Sequence, residues 1–454
     1  MVLSRRSFLK TASAVSLFNI VPAHVLRGAT APSNQLTRAL IGFGSIAHSF
    51  NHLKFPGSRL IGLCDADRRR VGEGLHCARQ AGWGTVKAYD NFMKLLEDPD
   101  VDIVHICTPP HWHGVMSVMA ARTGKDIWCE KPMTRTVGEG RRVAEYVKSK
   151  GIIFRLNTWF RFQNPFYGFG APVKPVRQFV ENGLVASKGS PIRCVVGPGQ
   201  GFSWKFFWSG RVKQVAEVCP KELDWDMWLG PAPAKPYNSH RAHLNFRGYW
   251  DYDSGGLGDM AQHYLDPVQY LLCKDETSPV HIDYIGPKQH PEAVGGFDRL
   301  TLRYADGTEV VLDGNGSLKD EPFLRGDRGC VFPGNVQLQA DVQWTPPEDT
   351  TKMFTAKDAN GKALDVRALL KELPEPAPQN TDFIDCVRNR KTFALNEQNG
   401  FRSASMFNLA VVAERLGRGF DFDPIALHAV HDEAAERFLY PTLRAPWDEA
   451  FYKN

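Results

Sequence analysis

A lysine, an aspartate and a histidine stand where they could move a proton and hold charge on an oxygen. Lys131 closes the stretch Asp126-Ile-Trp-Cys-Glu-Lys-Pro132, which reads as a buried strand stopped by a proline that cannot extend a central ladder. Asp259 and His263 stand at i and i+4 behind the turn Gly255-Gly256, so on a helix they share one face. Imidazole titrates near neutral pH and suits the removal of a hydroxyl proton. An ammonium can hydrogen-bond the same oxygen as it gains charge. Together these are the parts needed to oxidise a secondary alcohol, with His263 as base, Lys131 on the alkoxide, and Asp259 orienting His263 or binding a neighbouring hydroxyl. The plainer alternative for Lys131 is a solvated strand end. A zinc pair could also use the Asp259–His263 spacing, but H-E-x-x-H is absent and no third ligand stands out, so no metal is expected.

The elements that must position these groups begin with a glycine turn. Leu36 to Phe43 is apolar apart from Thr37 and Arg38 and runs into Gly42-Phe-Gly44-Ser45-Ile46-Ala47, the G-x-G-x-x-A form of a dinucleotide fingerprint. A second strand, Arg59 to Cys64, ends at Asp65. That lies about 20 residues past the glycines, where an acid binds the adenosine ribose. A carboxylate there repels a 2′-phosphate, so NAD is expected over NADP. Arg68, Arg69 and Arg70 keep NADP open, although a solvated first helical turn also explains them. Helices over 71–82, 91–96, 111–124 and 137–150 alternate with strands over 86–89, 101–107, 126–130 and 152–156. That rhythm predicts a parallel sheet wrapped on both faces. His111 and His113 flank Trp112 at a helix start and read as packing residues, with one of them able to line a nicotinamide pocket.

Length and composition bound the rest. At 454 residues the chain should hold two domains. With 43% hydrophobic and 23% charged residues, a net charge of +5 and no long basic run, no nucleic-acid partner is expected. Ser4-Arg5-Arg6-Ser7-Phe8-Leu9-Lys10 reads as a twin-arginine signal, with an apolar run to Val25 and an Ala29-Thr30-Ala31 cleavage site. Residues 1–31 would then be removed and the protein exported to the periplasm, without membrane insertion. The nine cysteines include no C-x-x-C pair, and Cys64, Cys107 and Cys129 are expected as buried free thiols.

Several stretches together resemble the glucose–fructose oxidoreductase / inositol dehydrogenase (Gfo/Idh/MocA) family. They are G-F-G-S-I-A at 42–47, C-T-P-P-H-W-H at 107–113, C-E-K-P at 129–132, D-W-D-M-W-L-G-P-A-P at 224–233, G-G-L-G-D-M-A-Q-H-Y-L-D at 255–266 and F-R-S-A-S-M-F-N-L-A at 401–410. The resemblance implies a Rossmann domain over 32–156, then an α/β domain over 157–454 with a mostly antiparallel, open sheet. The open face would support a homo-oligomer, dimer or tetramer, and the final helices could pack on the first domain. Lys131 corresponds to the family's active-site lysine, with Lys131–Pro132 expected cis, and Asp259 and His263 to its downstream catalytic positions. Cofactor contacts carry over to Gly42, Gly44, Ser45, Ile46, Asp65, Thr108, Pro109, His113, Glu130 and Lys131. Ala261 departs from the pattern, where glycine is common, and adds a methyl near the site.

The second domain opens with Asn157-Thr-Trp159-Phe-Arg161, polar and aromatic residues that suit the wall of a sugar site or simply an interdomain strand. The segment 200–258 is dense in aromatics, and a loop that long is usually functional. Trp250 and Tyr252 could stack on a sugar; core packing is the other reading. Asp306-Gly307 between two apolar runs predicts a hairpin. The expected activity is NAD(P)-dependent oxidation of a sugar or glycoside hydroxyl, with the cofactor retained and recycled after export. The alternative is an NAD-dependent redox glycosidase, which oxidises C3 transiently, eliminates the C1 substituent, adds water and re-reduces. A non-catalytic sugar-binding protein is the third reading, and Lys131, Asp259 and His263 argue against it.

Overall fold

The computed structural model describes residues 35–49, 52–158, 161, 172–197, 214–333 and 354–452. The twin-arginine stretch, its cleavage site and Trp159 lie outside them. Six strands, β1 (Leu36–Ile41), β2 (Ser58–Cys64), β3 (Lys87–Tyr89), β4 (Ile103–Ile106), β5 (Asp126–Glu130) and β6 (Phe154–Asn157), form one parallel sheet in the order β3-β2-β1-β4-β5-β6. The order reverses at β1, and the crevice beyond the strand ends there is where such sheets bind ligands. β1, β4 and β5 are buried at every position, as strands covered on both faces must be. The helix after β2 starts at Arg68, three residues before the sequence suggested, because the Asp67 side chain accepts from Arg69 N and caps it.

Nine further strands, β7 (Arg193–Val196), β8 (His281–Ile285), β9 (Arg299–Arg303), β10 (Glu309–Asp313), β11 (Leu324–Arg325), β12 (Gly329–Pro333), β13 (Phe354–Asp358), β14 (Phe420–Asp423) and β15 (His428–Ala429), make the second sheet, ordered β13-β12-β11-β7-β10-β9-β8-β14-β15. β7 and β10 run parallel while the other pairs are antiparallel. The expected hairpin joins β9 to β10 through Asp306-Gly307, where Gly307 takes a φ of +83°.

Two long helices, Gly255–Leu271 and Glu397–Leu416, pack on each other, and the second also packs on Val137–Ser149 behind the first sheet. The C-terminal helices thus do lie against the Rossmann sheet. A fully buried amide fixes the junction. Gln262 Oε1 accepts from Met133 N at 2.7 Å, just beyond Lys131, while its Nε2 donates to Gly400 O and Ser403 Oγ at 3.0 Å each. All nine cysteines are free thiols, and Cys64, Cys107 and Cys129 are buried as expected. No helix among the described residues is long and apolar enough to cross a membrane.

Candidate active site

A cavity of 260 Å³ opens at the carboxyl ends of β1, β2 and β4. Gly42, Gly44, Ser45 and Ile46 line it from the first turn, Asp65 from the end of β2, and Thr108 and Pro109 from the end of β4. Gly42 adopts a φ of +90°, and a Cβ there would meet the Cys107 carbonyl oxygen at 2.7 Å. Only glycine lets the two turns come this close. The Asp65 carboxylate is aimed by backbone donors, Phe43 N at 2.7 Å and Asp67 N at 2.9 Å. Burial raises its pKa against the pull of those hydrogen bonds. A glycine turn with no side chains in the way, beside a backbone-held acid, fits a pyrophosphate and a ribose diol.

Arg70 enters this cavity instead of standing in solvent as the sequence suggested. It donates from Nη1 to Phe43 O at 3.1 Å and from Nη2 to His243 Nδ1 at 3.0 Å. Arg69 pairs with Asp67 at 2.7 Å, and it and Arg68 are exposed, as a solvated first helical turn predicts.

The catalytic candidates meet at the ends of β5 and β6. Glu130 and Asn157 are register partners, so the next residues, Lys131 and Thr158, leave the sheet side by side. Lys131 Nζ donates to the Asp259 carbonyl oxygen at 2.6 Å and to Asp259 Oδ1 at 3.3 Å. Thr158 Oγ1 lies 2.9 Å from His263 Nδ1. One face of the Gly255–Leu271 helix is therefore stitched to two adjacent strand ends, and the Lys131–Pro132 peptide is cis. Asp259 was expected to orient His263 or to bind a neighbouring hydroxyl; here it also anchors Lys131. Its carboxylate is taken by Lys131 and by Arg247 Nε at 3.0 Å, and Thr158 holds the imidazole.

Glu130, His113 and Lys131 were placed among the cofactor contacts, and none of the three lines the cavity at the glycine turn. Glu130 Oε1 faces His105 Nε2 at 3.0 Å, His52 Nε2 at 3.1 Å and Asn157 Nδ2 at 2.8 Å. Burial pushes its pKa up, and the histidine contacts more than reverse that, leaving it well below the carboxylate range. His113 is buried between the carbonyls of Pro132 (2.6 Å from Nδ1) and Thr108 (2.8 Å from Nε2), and burial lowers its pKa. It braces the Lys131 turn against the nucleotide loop.

The expected sugar wall also dissolves. Asn157 is committed to Glu130. Arg161 is wholly buried and paired with Asp266 and Asp275, each at 2.7 Å. Trp250 packs in the core with its indole donating to His290 O, and Tyr252 packs against Trp228 and Tyr249. Stacking and core packing select the same aromatic residues, which is why the sequence could not separate them.

His52, His105, Cys107 and Glu130 bring ligand-type atoms within 4.8 Å of one another. Arg38 decides how they read. Its guanidinium can only donate, so His105 Nδ1, 3.2 Å away, accepts, and His105 Nε2 keeps its proton for Glu130. Burial and Glu130 push the Cys107 thiol well up, away from thiolate. The group is a buried hydrogen-bonded network around one carboxylate. Sequence reasoning missed this network and also Thr158, Arg247 and Gln262. Of these, only Gln262 carried a local signal, one turn from both Asp259 and Asp266.

A doubly wound sheet with a glycine turn at its switch point, joined to a mixed sheet through the helix bearing Asp259 and His263, defines a two-domain dinucleotide-binding protein. Family profiles agree. The NAD-binding Rossmann fold of an oxidoreductase family (GFO_IDH_MocA) matches residues 36–158, and that family's C-terminal alpha/beta domain matches 169–345 and 348–449. The chain belongs to the Gfo/Idh/MocA oxidoreductase family, and its cofactor is NAD(P). Levoglucosan dehydrogenase of Pseudarthrobacter phenanthrenivorans is 25% identical over 51% of this chain and 48% of its own length. The scyllo-inositol 2-dehydrogenase (NAD(+)) of Bacillus subtilis is 34% identical over 30% of this chain and 38% of its own. The matched stretches thus span half or less of these relatives. Among solved structures, the Bordetella pertussis WlbA dehydrogenase in complex with NADH and UDP-GlcNAcA shares the fold with a TM-score of 0.53 at 14% identity, over 86% of this chain and 99% of that one.

Proposed function

We propose that the protein is an NAD(P)-dependent oxidoreductase acting on a secondary hydroxyl of a sugar or cyclic polyol. The observation that carries this reading is the paired stitch of Lys131 to Asp259 and Thr158 to His263 at adjacent strand ends, next to the nucleotide groove. The sugar and inositol dehydrogenases among its relatives support the substrate class. Bound NAD(P) supplies the hydride acceptor, held by Gly42, Gly44, Asp65, Thr108 and Pro109.

The chain's own groups manage the proton and the charge. Two of the three ammonium N–H bonds of Lys131 go to Asp259, and the third is left for a substrate oxygen. With Nδ1–H donated to Thr158 Oγ1, His263 Nε2 is the proton acceptor. As the hydroxyl loses its proton, Lys131 holds the developing negative charge in a site that excludes most water. Asp259, itself braced by Arg247, keeps the ammonium aimed. Asp65 favours NAD over NADP by repelling a 2′-phosphate.

The test is to supply purified protein and NAD with free sugars, inositols and anhydrosugars and to follow the absorbance of reduced nicotinamide. Wild type is expected to reduce the cofactor with at least one of them. Lys131→Ala and His263→Ala should each lower kcat about 10³-fold or more with NAD still bound, in line with the loss of an acid–base or charge-stabilising group. Wild-type turnover in either variant overturns the assignment.

A further inference from the structure

We propose that a second cavity, behind the catalytic side chains, is a binding site for a small oxyanion, a phosphate or carboxylate group. It has a volume of 250 Å³ and shares no lining residue with the nucleotide groove. The turn after Lys131, the residues leading into the Gly255–Leu271 helix, the Glu397–Leu416 helix and the segment over 437–443 enclose it.

Arg415 is the centre of the argument. Its guanidinium lies 4.1 Å from the ring of Phe438 and 5.4 Å from that of Trp250, and it has neither a carboxylate partner nor a hydrogen bond among the described residues. Burial lowers its pKa to about 10, and the charge of Asp251 in the same cavity offsets only part of that. Asn408 lines the same cavity, is 2% exposed, and has no hydrogen-bond partner at either Nδ2 or Oδ1. Arg135 adds a buried Nε–H that is also unpartnered, while its other nitrogens serve Trp250 O and Glu139.

Buried polar groups in native proteins are nearly always satisfied, so two such side chains and a guanidinium without a hydrogen bond around one space point to a missing partner. Donors and positive charge outnumber the one orphaned acceptor, Asn408 Oδ1. Asp251 also lines the cavity, but its carboxylate is paired with Lys235 at 3.3 Å. Arg437, at the rim, is 81% exposed and paired with Glu433. Arg415 is left short of a full counter-charge, and a planar guanidinium sharing a cavity with an unpartnered amide N–H₂ offers donors for two oxygens of one anion. Arg135 stands four residues past Lys131, and Ser254 on the opposite wall leads into the helix of Asp259 and His263. The occupant would therefore touch both arms of the catalytic site from behind.

Isothermal calorimetry of the full-length protein with inorganic phosphate, under saturating NAD to keep the anion off the glycine turn, tests this. One saturable phosphate site per chain is expected. It should weaken at least tenfold in Arg415→Met, which keeps the packing stem, and in Asn408→Asp, which keeps the shape and adds a like charge. Melting curves without phosphate identify which variants fold as wild type. Acetate competing for the same site marks a carboxylate ligand, and phosphate bound without acetate competition marks a phosphate ester. Absence of saturable binding to wild type means a merely hydrated cavity and overturns the proposal. So does undiminished binding in either folded variant.

Discussion

Thr158 holds the imidazole of His263 through a hydroxyl 2.9 Å from Nδ1, and nothing about its side chain is otherwise reactive. Thr158→Val keeps the shape and removes the hydroxyl. A buried polar atom left without its partner costs about 1–3 kcal/mol, and here the cost falls on the ring orientation that proton transfer needs. We expect kcat to drop about 10- to 100-fold, the same energy expressed as rate, with KM little changed. Steady-state kinetics decide the matter, and an unaltered kcat removes Thr158 from the machinery. In the proposed function Asp65 works by repulsion. Its carboxylate is fixed by two backbone N–H groups and sits in the cavity that Arg70 also lines. Asp65→Ala deletes the negative charge while leaving Arg70 in place. The ratio of kcat/KM for NADP to that for NAD should rise by about tenfold or more, since even 1.4 kcal/mol of lost repulsion gives that factor. A ratio that stays put would show that discrimination lies elsewhere.

Between β6 and the Gly255–Leu271 helix the coupling is ionic. Arg161 follows β6 and Thr158, and it donates to both Asp266 oxygens and both Asp275 oxygens with none of its side chain exposed. A buried pair adds little beyond a well-packed apolar substitute, but removing one partner strands the other charges. Arg161→Met should therefore destabilise the fold by about 3–5 kcal/mol by leaving two uncompensated carboxylates. Denaturant melts measure this, and KM for the substrate should stay near wild type in the folded fraction. A loss of substrate affinity at unchanged stability would restore the sugar-wall reading. The contrast shows what the sequence can carry. Apolar runs, the glycine turn, the Asp306-Gly307 hairpin and the i, i+4 pair are local patterns with local causes, and each reappears in the fold. Glu130 and His113 were assigned through the family resemblance, and Arg161 and Trp250 by neighbourhood in the chain. Their partners lie far away in sequence or across the sheet, and no spacing rule reaches them. Thr158 and Arg247 went unread for the same reason, while Gln262 had a local signal in its spacing from Asp259 and Asp266.

Over the whole molecule, burial sets protonation at positions outside the lining of the groove, and two of them pull stability in opposite directions with pH. His111 is buried at the start of the helix after β4, with Nε2 2.9 Å from Trp228 O, and burial lowers its pKa to about 3. Between roughly pH 6.5, the unfolded value, and pH 3 the unfolded chain binds a proton that the folded one refuses. The stability His111 contributes is thus present above pH 6.5 and is lost as pH falls, by about 1.4 kcal/mol per unit. Glu414 is the reverse case. It lies in the core on the Glu397–Leu416 helix with Oε2 unpartnered, and burial raises its pKa well above the usual value. Above about pH 4.3 the unfolded chain releases a proton that the folded one keeps, so stability falls as pH rises, at the same rate. The exposed pair of His281 with Asp421 and Asp283, whose histidine pKa is raised, opposes His111 as well but by less, because solvent screens it. Substituting each buried group alone separates the two. Relative to wild type, His111→Gln should gain stability as pH is lowered from 7 to 5, and Glu414→Gln should gain it as pH is raised over the same interval. Each shift should approach about 1–3 kcal/mol across those two units. Urea melts at the two pH values read both differences directly, and a pair of variants that track wild type in parallel would mean that both groups titrate normally inside the fold.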